Sequence, residues 1–353
     1  MKIMIWNAAR GGMRSVVEGY VADGFISQQN VKLIHSYADE SFFSRQVTLA
    51  RALVVCAWTM ATKRVELLHC HSAMKGSFWR KSIFARMAAV FGIPVIFHLH
   101  GSEMKSFYER QKPFVRQVIK RELERADVVI VLSQSWHDFV SGIAPGASVA
   151  ILPNYVTVPE ATSSSSGGSG TLLFLGAVGV RKGVFDLLTA FAAALESDRT
   201  LRLLIGGNGE IEEARRRAEQ LGVQDRVEFL GWVDSDARAK LLDEAAIYVL
   251  PSYNEGLPMS VLEAMSAGLA TITTRVGGLP ELIENGKTGV LIEPGDVSAL
   301  TAAIHSLVQN PGKRRQIGDA ARKRIESSYS RDIVLKKLET IYEATGRAAT
   351  VRH

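Results

Sequence analysis

A chain of 353 residues is long enough for two domains of ordinary size, and 47% hydrophobic with 22% charged residues is the composition of a soluble globular protein. Its two cysteines, Cys56 and Cys70, each sit in apolar sequence, which excludes a disulfide framework and fits a reducing compartment. The net charge of +6 is uneven: residues 1–160 hold 19 Lys/Arg against 12 Asp/Glu, and residues 75–125 hold 11 against 4. Such a segment either meets an anionic partner (phospholipid headgroups, a pyrophosphate or nucleic acid) or is a solvated basic helix face. No RNA- or DNA-binding motif accompanies it, which weighs against nucleic acid.

The apolar run Met1 to Trp6 lacks the basic lead and the length of a signal peptide. The longest apolar stretch, around Ala50 to Ala61, contains Arg51 and is too short to span a bilayer. In chain order, Lys2 to Trp6 reads as a buried strand, Asn7 to Met13 as a turn and Arg14 to Phe25 as a helix. Gly11-Gly12 in that turn either lets backbone approach a ligand or makes a plain tight turn. Val31 to Ile34, Leu67 to Cys70, Pro94 to Leu99 and Val128 to Leu132 read as strands. Ser44 to Thr62, Phe78 to Phe91 and Phe107 to Arg125 read as the helices between them. Continuous apolar strands separated by helices predict an α/β fold with a doubly covered parallel sheet, which binds ligands outside the carboxyl ends of its strands. His100 ends one such strand and reads either as a crevice residue or as a locally bonded histidine. Ser77, Arg80 and Lys81 follow another strand end and could hold an anionic acceptor; the two cations oppose the helix dipole there.

Residues 159–170 form a Ser/Gly tract that reads as a flexible connection between domain 1–158 and domain 171–330, with a final helical segment, 331–353, packing back on the first domain. After it the rhythm restarts: strand Leu172 to Leu175, loop Gly176 to Gly183, helix Val184 to Leu195, strand Leu201 to Ile205, a Gly206–Gly209 turn and helix Glu210 to Leu221. Val227 to Leu230, Ile247 to Leu250, Leu269 to Thr273 and Gly289 to Ile292 supply further strands, and Asp296 to Asn310 and Lys313 to about Arg347 the last helices. Two parallel-sheet domains facing one another across a cleft are the expected architecture.

The chemistry concentrates in residues 251–268. Pro258 suits a first helical position and Gly268 a C-terminal cap, and Val261, Leu262, Ala264 and Met265 predict a buried helix. Glu263 inside it needs a polar partner, and Glu255 stands just before a helix N-terminus, where backbone N–H groups favour phosphate. Arg181 and Lys182, in a strand-to-helix loop, and the Gly206–Gly209 turn would open at the same sheet edge, with the cations and amides that a diphosphate needs. Asp234-Ser-Asp236 precedes a helix over Ala237 to Glu244 and reads as an N-cap; no metal site is expected there or elsewhere.

The stretch Glu255-Gly-Leu-Pro-Met-Ser-Val-Leu-Glu263 resembles the Glu-x7-Glu signature of the retaining glycosyltransferases of family 4, which have the GT-B fold. The resemblance runs through Gly11-Gly12, His100-Gly101, Pro153-Asn154, Phe174-Leu-Gly176, Arg181-Lys-Gly183, Gly206-Gly-Asn-Gly209, Phe229-Leu-Gly231, Gly277-Gly278 with Glu281, and Asn285-Gly286 with Gly289. It implies a nucleotide-diphosphate sugar as co-substrate, no metal cofactor, and catalytic roles for Glu255, His100 and Lys182. Glu255 would contact the donor sugar and Glu263 the ribose. Lys182, with Arg181, Gly209 and amides near Gly12, Gly256 and Leu257, would hold the diphosphate, and His100 would face the donor sugar. Ala177 departs from the family, which commonly has Arg after the glycine equivalent to Gly176. The segment His71 to Tyr108 resembles members that build bacterial exopolysaccharide or surface glycans on lipid-linked acceptors. That resemblance implies a peripheral enzyme on the cytoplasmic face of the plasma membrane, with Ser77, Arg80, Lys81, Arg110, Arg116, Lys120 and Arg121 meeting the acceptor or an anionic membrane surface. The alternatives are a GT-B nucleotide-sugar epimerase and a non-catalytic nucleotide-sugar-binding protein.

Overall fold

The computed structural model describes residues 1–8, 12–37, 41–160 and 170–351, with side chains to residue 347. The chain divides into two compact units. The first comprises residues 1–154 and 332–353, and the second comprises residues 155–331. The chain thus enters the second unit at Tyr155, ahead of the Ser/Gly tract; residues 161–169 of that tract, like Gly11, lie outside the described residues.

In the first unit the strands are β1 (Lys2–Trp6), β2 (Val31–His35), β3 (Leu67–Ser72), β4 (Val95–Leu99), β5 (Val128–Val131) and β6 (Val149–Ile151), in the order β2-β1-β3-β4-β5-β6. Every pairing is parallel. Period-two alternation divides their side chains between the two faces. Ile3, Ile5, Leu68, Cys70, Phe97 and Leu99 join one apolar core with the helices Phe42–Thr62, Gly76–Val90 and Pro113–Arg125. The alternate positions, which include Met4, His69, His71 and His98, are buried too. They lie on the face that receives Tyr20, Phe25 and, from the helix Arg331–Val351, Tyr342.

The second unit repeats the plan with β7 (Thr171–Leu175), β8 (Arg202–Gly206), β9 (Val227–Gly231), β10 (Ile247–Leu250), β11 (Ala270–Thr274) and β12 (Val290–Ile292), in the order β12-β11-β10-β7-β8-β9. All pairings are again parallel, and β7, β10 and β11 are buried along their whole length. The connection direction reverses between β7 and β10, which makes their carboxyl ends the switch point where such sheets bind ligands.

Three elements differ from the periodicity. The strand β6 is short and half-buried and leaves no continuous apolar run to read. The predicted helix Phe107 to Arg125 is two helices, Met104–Glu109 and Pro113–Arg125, because Pro113 holds Lys112 extended at φ −64°, ψ 152°. The long terminal helix is likewise two, Pro311–Ser328 and Arg331–Val351, interrupted where Ser330 bridges Val156 and Tyr329 accepts from the Val156 N–H at 3.2 Å.

Candidate active site

After β7 the chain makes the loop that ends at Gly183, then the helix Val184–Leu195; after β10 it makes the loop 251–258, then the helix Met259–Ser266. The two loops lie against each other. Gly183 has φ +71°, and a Cβ there would stand 2.0 Å from the Pro251 carbonyl oxygen, so only glycine fits. Tyr253 N–H donates to the Arg181 carbonyl at 2.9 Å, which fixes Lys182 opposite residues 252–255. The Gly-rich turn after β8 packs on the same loop: Gly207, at φ +145°, would place a Cβ 1.7 Å from the Gly176 oxygen, and Gly209 pairs with Val178. On the other side the Gly278 N–H donates to the Gly256 carbonyl at 2.7 Å, and Thr274 Oγ1 donates to the Ser252 carbonyl at 2.5 Å.

These contacts place Lys182 Nζ 2.5 Å from Glu255 Oε1, the same oxygen that accepts from Ser252 Oγ at 2.6 Å. Both partners are largely withdrawn from water, with side-chain exposures of 13% and 6%. A carboxylate in that position keeps acceptor capacity for ligand hydroxyls, beside an ammonium suited to phosphate. Arg181 is exposed and donates through Nη1 to the Asn254 carbonyl at 3.3 Å, so it too is anchored to the Glu255 loop.

The helix Met259–Ser266 begins one residue later than predicted, with Pro258 extended at the N-cap instead of first in the helix, and Gly268, at φ +81°, follows the C-cap residue Ala267. Val261, Leu262, Ala264, Met265 and Ser266 are buried. Glu263 finds its partner in Arg238, whose Nη1 donates to Oε1 at 2.9 Å and to Oε2 at 3.2 Å. Burial pushes the Glu263 carboxyl above the usual carboxylate range, and the Arg238 guanidinium opposes that shift. Arg238 comes from the helix Ser235–Glu244, whose N-cap is Asp234, with Oδ1 accepting from Ala237 N–H at 2.9 Å. Capping therefore occupies Asp234. Arg238 and Ser252 were missed in the sequence: Ser252 had a local signal, three residues before Glu255, whereas Arg238 is 25 residues from the carboxylate that it holds.

The remaining expected residues lie in the first unit. His100 follows β4, partly buried, with Nε2 2.8 Å from His71 Nδ1. Gly12 opens the helix Gly12–Ala22 in open space. Lys81 requires correction: it is fully buried, its ammonium bonded to Asn7 and to Ser36 Oγ (2.8 Å), and so it offers no charge to a surface. Ser77 is buried in the same network, accepting from Asn7 Nδ2 at 3.1 Å. The cause is that both open the helix Gly76–Val90 on its sheet-facing side, where polar groups persist only by bonding one another. Arg80 is half-buried, with its guanidinium 4.6 Å from the Tyr37 ring centre. Arg116 is tied to the Gln111 and Glu109 carbonyls, and Lys120 lies 3.7 Å from Glu124. Arg110 and Arg121 are exposed.

A Gly-lined, cationic switch point beside the buried Glu255 and the half-buried Glu263 defines a class: an α/β protein with a site suited to an anionic, hydroxyl-bearing ligand. The family description "Glycosyl transferase 4-like domain" matches residues 28–155, and "Glycosyl transferases group 1" matches residues 159–324. The chain is 29% identical to glycogen synthase of Mycobacterium tuberculosis over 278 residues, 74% of this chain and 66% of that protein, so it matches just under two thirds of that relative. It is 26% identical to a GDP-mannose-dependent monoacylated alpha-(1-6)-phosphatidylinositol monomannoside mannosyltransferase of Corynebacterium glutamicum, over 96% of this chain and 95% of that one. Anabaena HepE, solved with UDP-glucose, superimposes with a TM-score of 0.77 at 17% identity, covering 98% of this chain and all of that one. The chain belongs to the family-4 glycosyltransferases, with the GT-B fold.

Proposed function

We propose that the chain moves a hexose, with retention of configuration, from a nucleoside-diphosphate sugar to a lipid-linked or growing glycan acceptor in exopolysaccharide or surface-polysaccharide synthesis. The observation that carries this reading is Glu255 held between Lys182 and Ser252 at the switch point of the second sheet. Glu255 accepts the donor sugar's hydroxyls, and Lys182 stabilises the charge that collects on the departing diphosphate. The acceptor oxygen bonds to the anomeric carbon on the face from which the diphosphate leaves, and the acceptor proton passes to a phosphate oxygen. Glu263, oriented by Arg238, receives the ribose hydroxyls. The bond changes balance without a metal ion, and none is required in this reading.

A membrane-borne acceptor is supported by the helix Phe42–Thr62, which exposes Phe42, Phe43, Val47, Val54 and Trp58. Positions 43, 47, 54 and 58 fall on one helical face. Exposed Arg51 lies beside that face, an arrangement suited to the cytoplasmic surface of a membrane. Among the described residues no helix is long and apolar enough to cross a membrane. The mannosyltransferase relative, by its name, acts on a phosphatidylinositol glycolipid.

The test is a screen of nucleotide sugars that reads nucleoside-diphosphate release with and without a lipid extract. Release that requires the extract, with the sugar recovered in the lipid fraction, is the expected result. Epimerised donor with no transfer, or no turnover of any nucleotide sugar, overturns the proposal.

A further inference from the structure

The transfer chemistry leaves three buried imidazoles of the first unit, His69, His71 and His98, without a task, stacked beside His100. His69 and His71 alternate along β3, and His98, one residue before the end of β4, lies in direct register with His71, with His100 just beyond the strand. Parallel pairing and period-two alternation therefore stack four rings on one sheet face, with neighbouring centres 4.0 to 5.4 Å apart. His69, His71 and His98 are essentially inaccessible to solvent. Two ring nitrogens of the group, His71 Nε2 and His98 Nε2, are buried without a hydrogen-bond partner. Buried unsatisfied nitrogens are costly, at ~1–3 kcal/mol each, and call for an explanation.

We infer that His69, His71 and His98 form a binding site for one transition-metal ion of the zinc class. One ring nitrogen from each lies within 4.8 Å of the other two. Ligation through His71 Nε2 would give one of the two orphaned nitrogens a partner. His69 Nε2 and His98 Nδ1, hydrogen-bonded to each other at 3.2 Å, would exchange that bond for the ion, at a spacing close to the ~3.3 Å that separates two nitrogens bound to one tetrahedral zinc at ~2.0–2.1 Å. The outer contacts fit as well. His69 Nδ1 lies 2.8 Å from the Tyr342 hydroxyl and His71 Nδ1 lies 2.8 Å from His100 Nε2, so two ligands have their second nitrogen engaged. Lys81, its ammonium bonded to Asn7 and Ser36, is a nearby cation that opposes an ion there, and burial weakens that opposition by lowering its hold on the proton. An all-imidazole set excludes calcium and magnesium, which take oxygen ligands, and suits zinc, copper or nickel. The partly exposed His100, beside His98 and bonded to His71, provides the approach from solvent. The bound ion would cross-link β3 to β4 and, through His69 and Tyr342, steady the C-terminal helix.

The test uses the full chain without a histidine tag, stripped with a chelator and titrated with Zn²⁺ at pH 7.5 against a chromophoric competitor, with Co²⁺ as a spectroscopic probe. One equivalent should bind with micromolar or tighter affinity, raise the unfolding midpoint, and give the visible spectrum of four-coordinate cobalt. His98→Gln should abolish that site, Tyr342→Phe should weaken it at least ~10-fold, and His137→Gln, a surface histidine, should leave it unchanged. Because His98→Gln could unfold the first unit, anomalous diffraction from zinc-soaked wild-type crystals gives an independent reading, with a peak expected among the three rings. Affinity weaker than ~100 µM, or zinc seated on surface residues only, overturns the inference.

Discussion

Glu255 is shared by Lys182 and Ser252 through a single oxygen, so removing it does two separable things. Glu255→Ala should lower turnover by ~10²–10³, the scale of losing a preorganised electrostatic partner. It should also cost ~1–3 kcal/mol by leaving Lys182 without its partner. The double variant Glu255→Ala with Lys182→Met should recover much of the stability and none of the turnover, as read by denaturant melts and diphosphate release. Recovery of turnover would remove Glu255 from the chemistry. Arg238 is tested through pH. The Glu263 carboxyl is raised above its unfolded value, so the folded state holds the proton more tightly, and the associated stability is present at low pH and lost as pH rises through the folded value. Arg238→Gln removes the cation that opposes this rise. The unfolding midpoint of the variant should therefore fall further below wild type at pH 7.5 than at pH 4.5, and nucleoside-diphosphate affinity should fall with it. A deficit that is equal at both pH values would mean that the carboxylate does not depend on Arg238.

At the scale of elements, the site is made by loops that touch through bare backbone. Gly207 lies so close to the Gly176 carbonyl that a methyl group must push the β8 turn away from the β7 loop carrying Arg181 and Lys182. Gly207→Ala should therefore depress both the unfolding midpoint and nucleotide binding. Gly12→Ala, where nothing lies within 4 Å, should leave the midpoint within ~0.5 kcal/mol of wild type, the usual range for a harmless surface change. Thermal melts and calorimetric titration of the diphosphate check both. Equal behaviour of the two variants would show that the packing of the Gly-rich turn does not matter. The helix Phe42–Thr62 illustrates the opposite case: its outer apolar side chains, Phe43, Val47, Val54 and Trp58, gain nothing from the fold. Phe43→Ser with Trp58→Ser should reduce binding to anionic liposomes in a flotation assay without lowering stability. Undiminished flotation would sink the proposed membrane contact.

At the scale of the whole molecule, the last helix returns to the first unit and buries Val334, Leu338 and Tyr342 there. At ~1.5–3 kcal/mol for each buried side chain, the three contribute about 5–9 kcal/mol, comparable to the total stability of a domain. A chain ending at Ser330 should lose hydrogen-exchange protection across β1 to β6 while β7 to β12 keep theirs. Protection of β1 to β6 unchanged by the truncation would show that this helix is dispensable. Continuous apolar runs gave eleven of these twelve strands, because a strand covered on both faces needs no partner to be recognised as buried. The helix Met259–Ser266 was legible from its own Pro and Gly boundaries, and Glu255 and Glu263 from the mismatch between a carboxylate and its apolar neighbours. Local periodicity does not encode which element lies beside which. Sheet order and register decided that Arg238 would meet Glu263, that Lys81 would be enclosed by Asn7 and Ser36 instead of facing outward, and that four separate histidines would form one stack. The sequence by itself determined the elements and the residues able to do chemistry. Ser252 aside, the tertiary structure alone decided their partners, since these lie 25 to 273 residues away along the chain and are brought to hydrogen-bonding distance only when the sheets assemble.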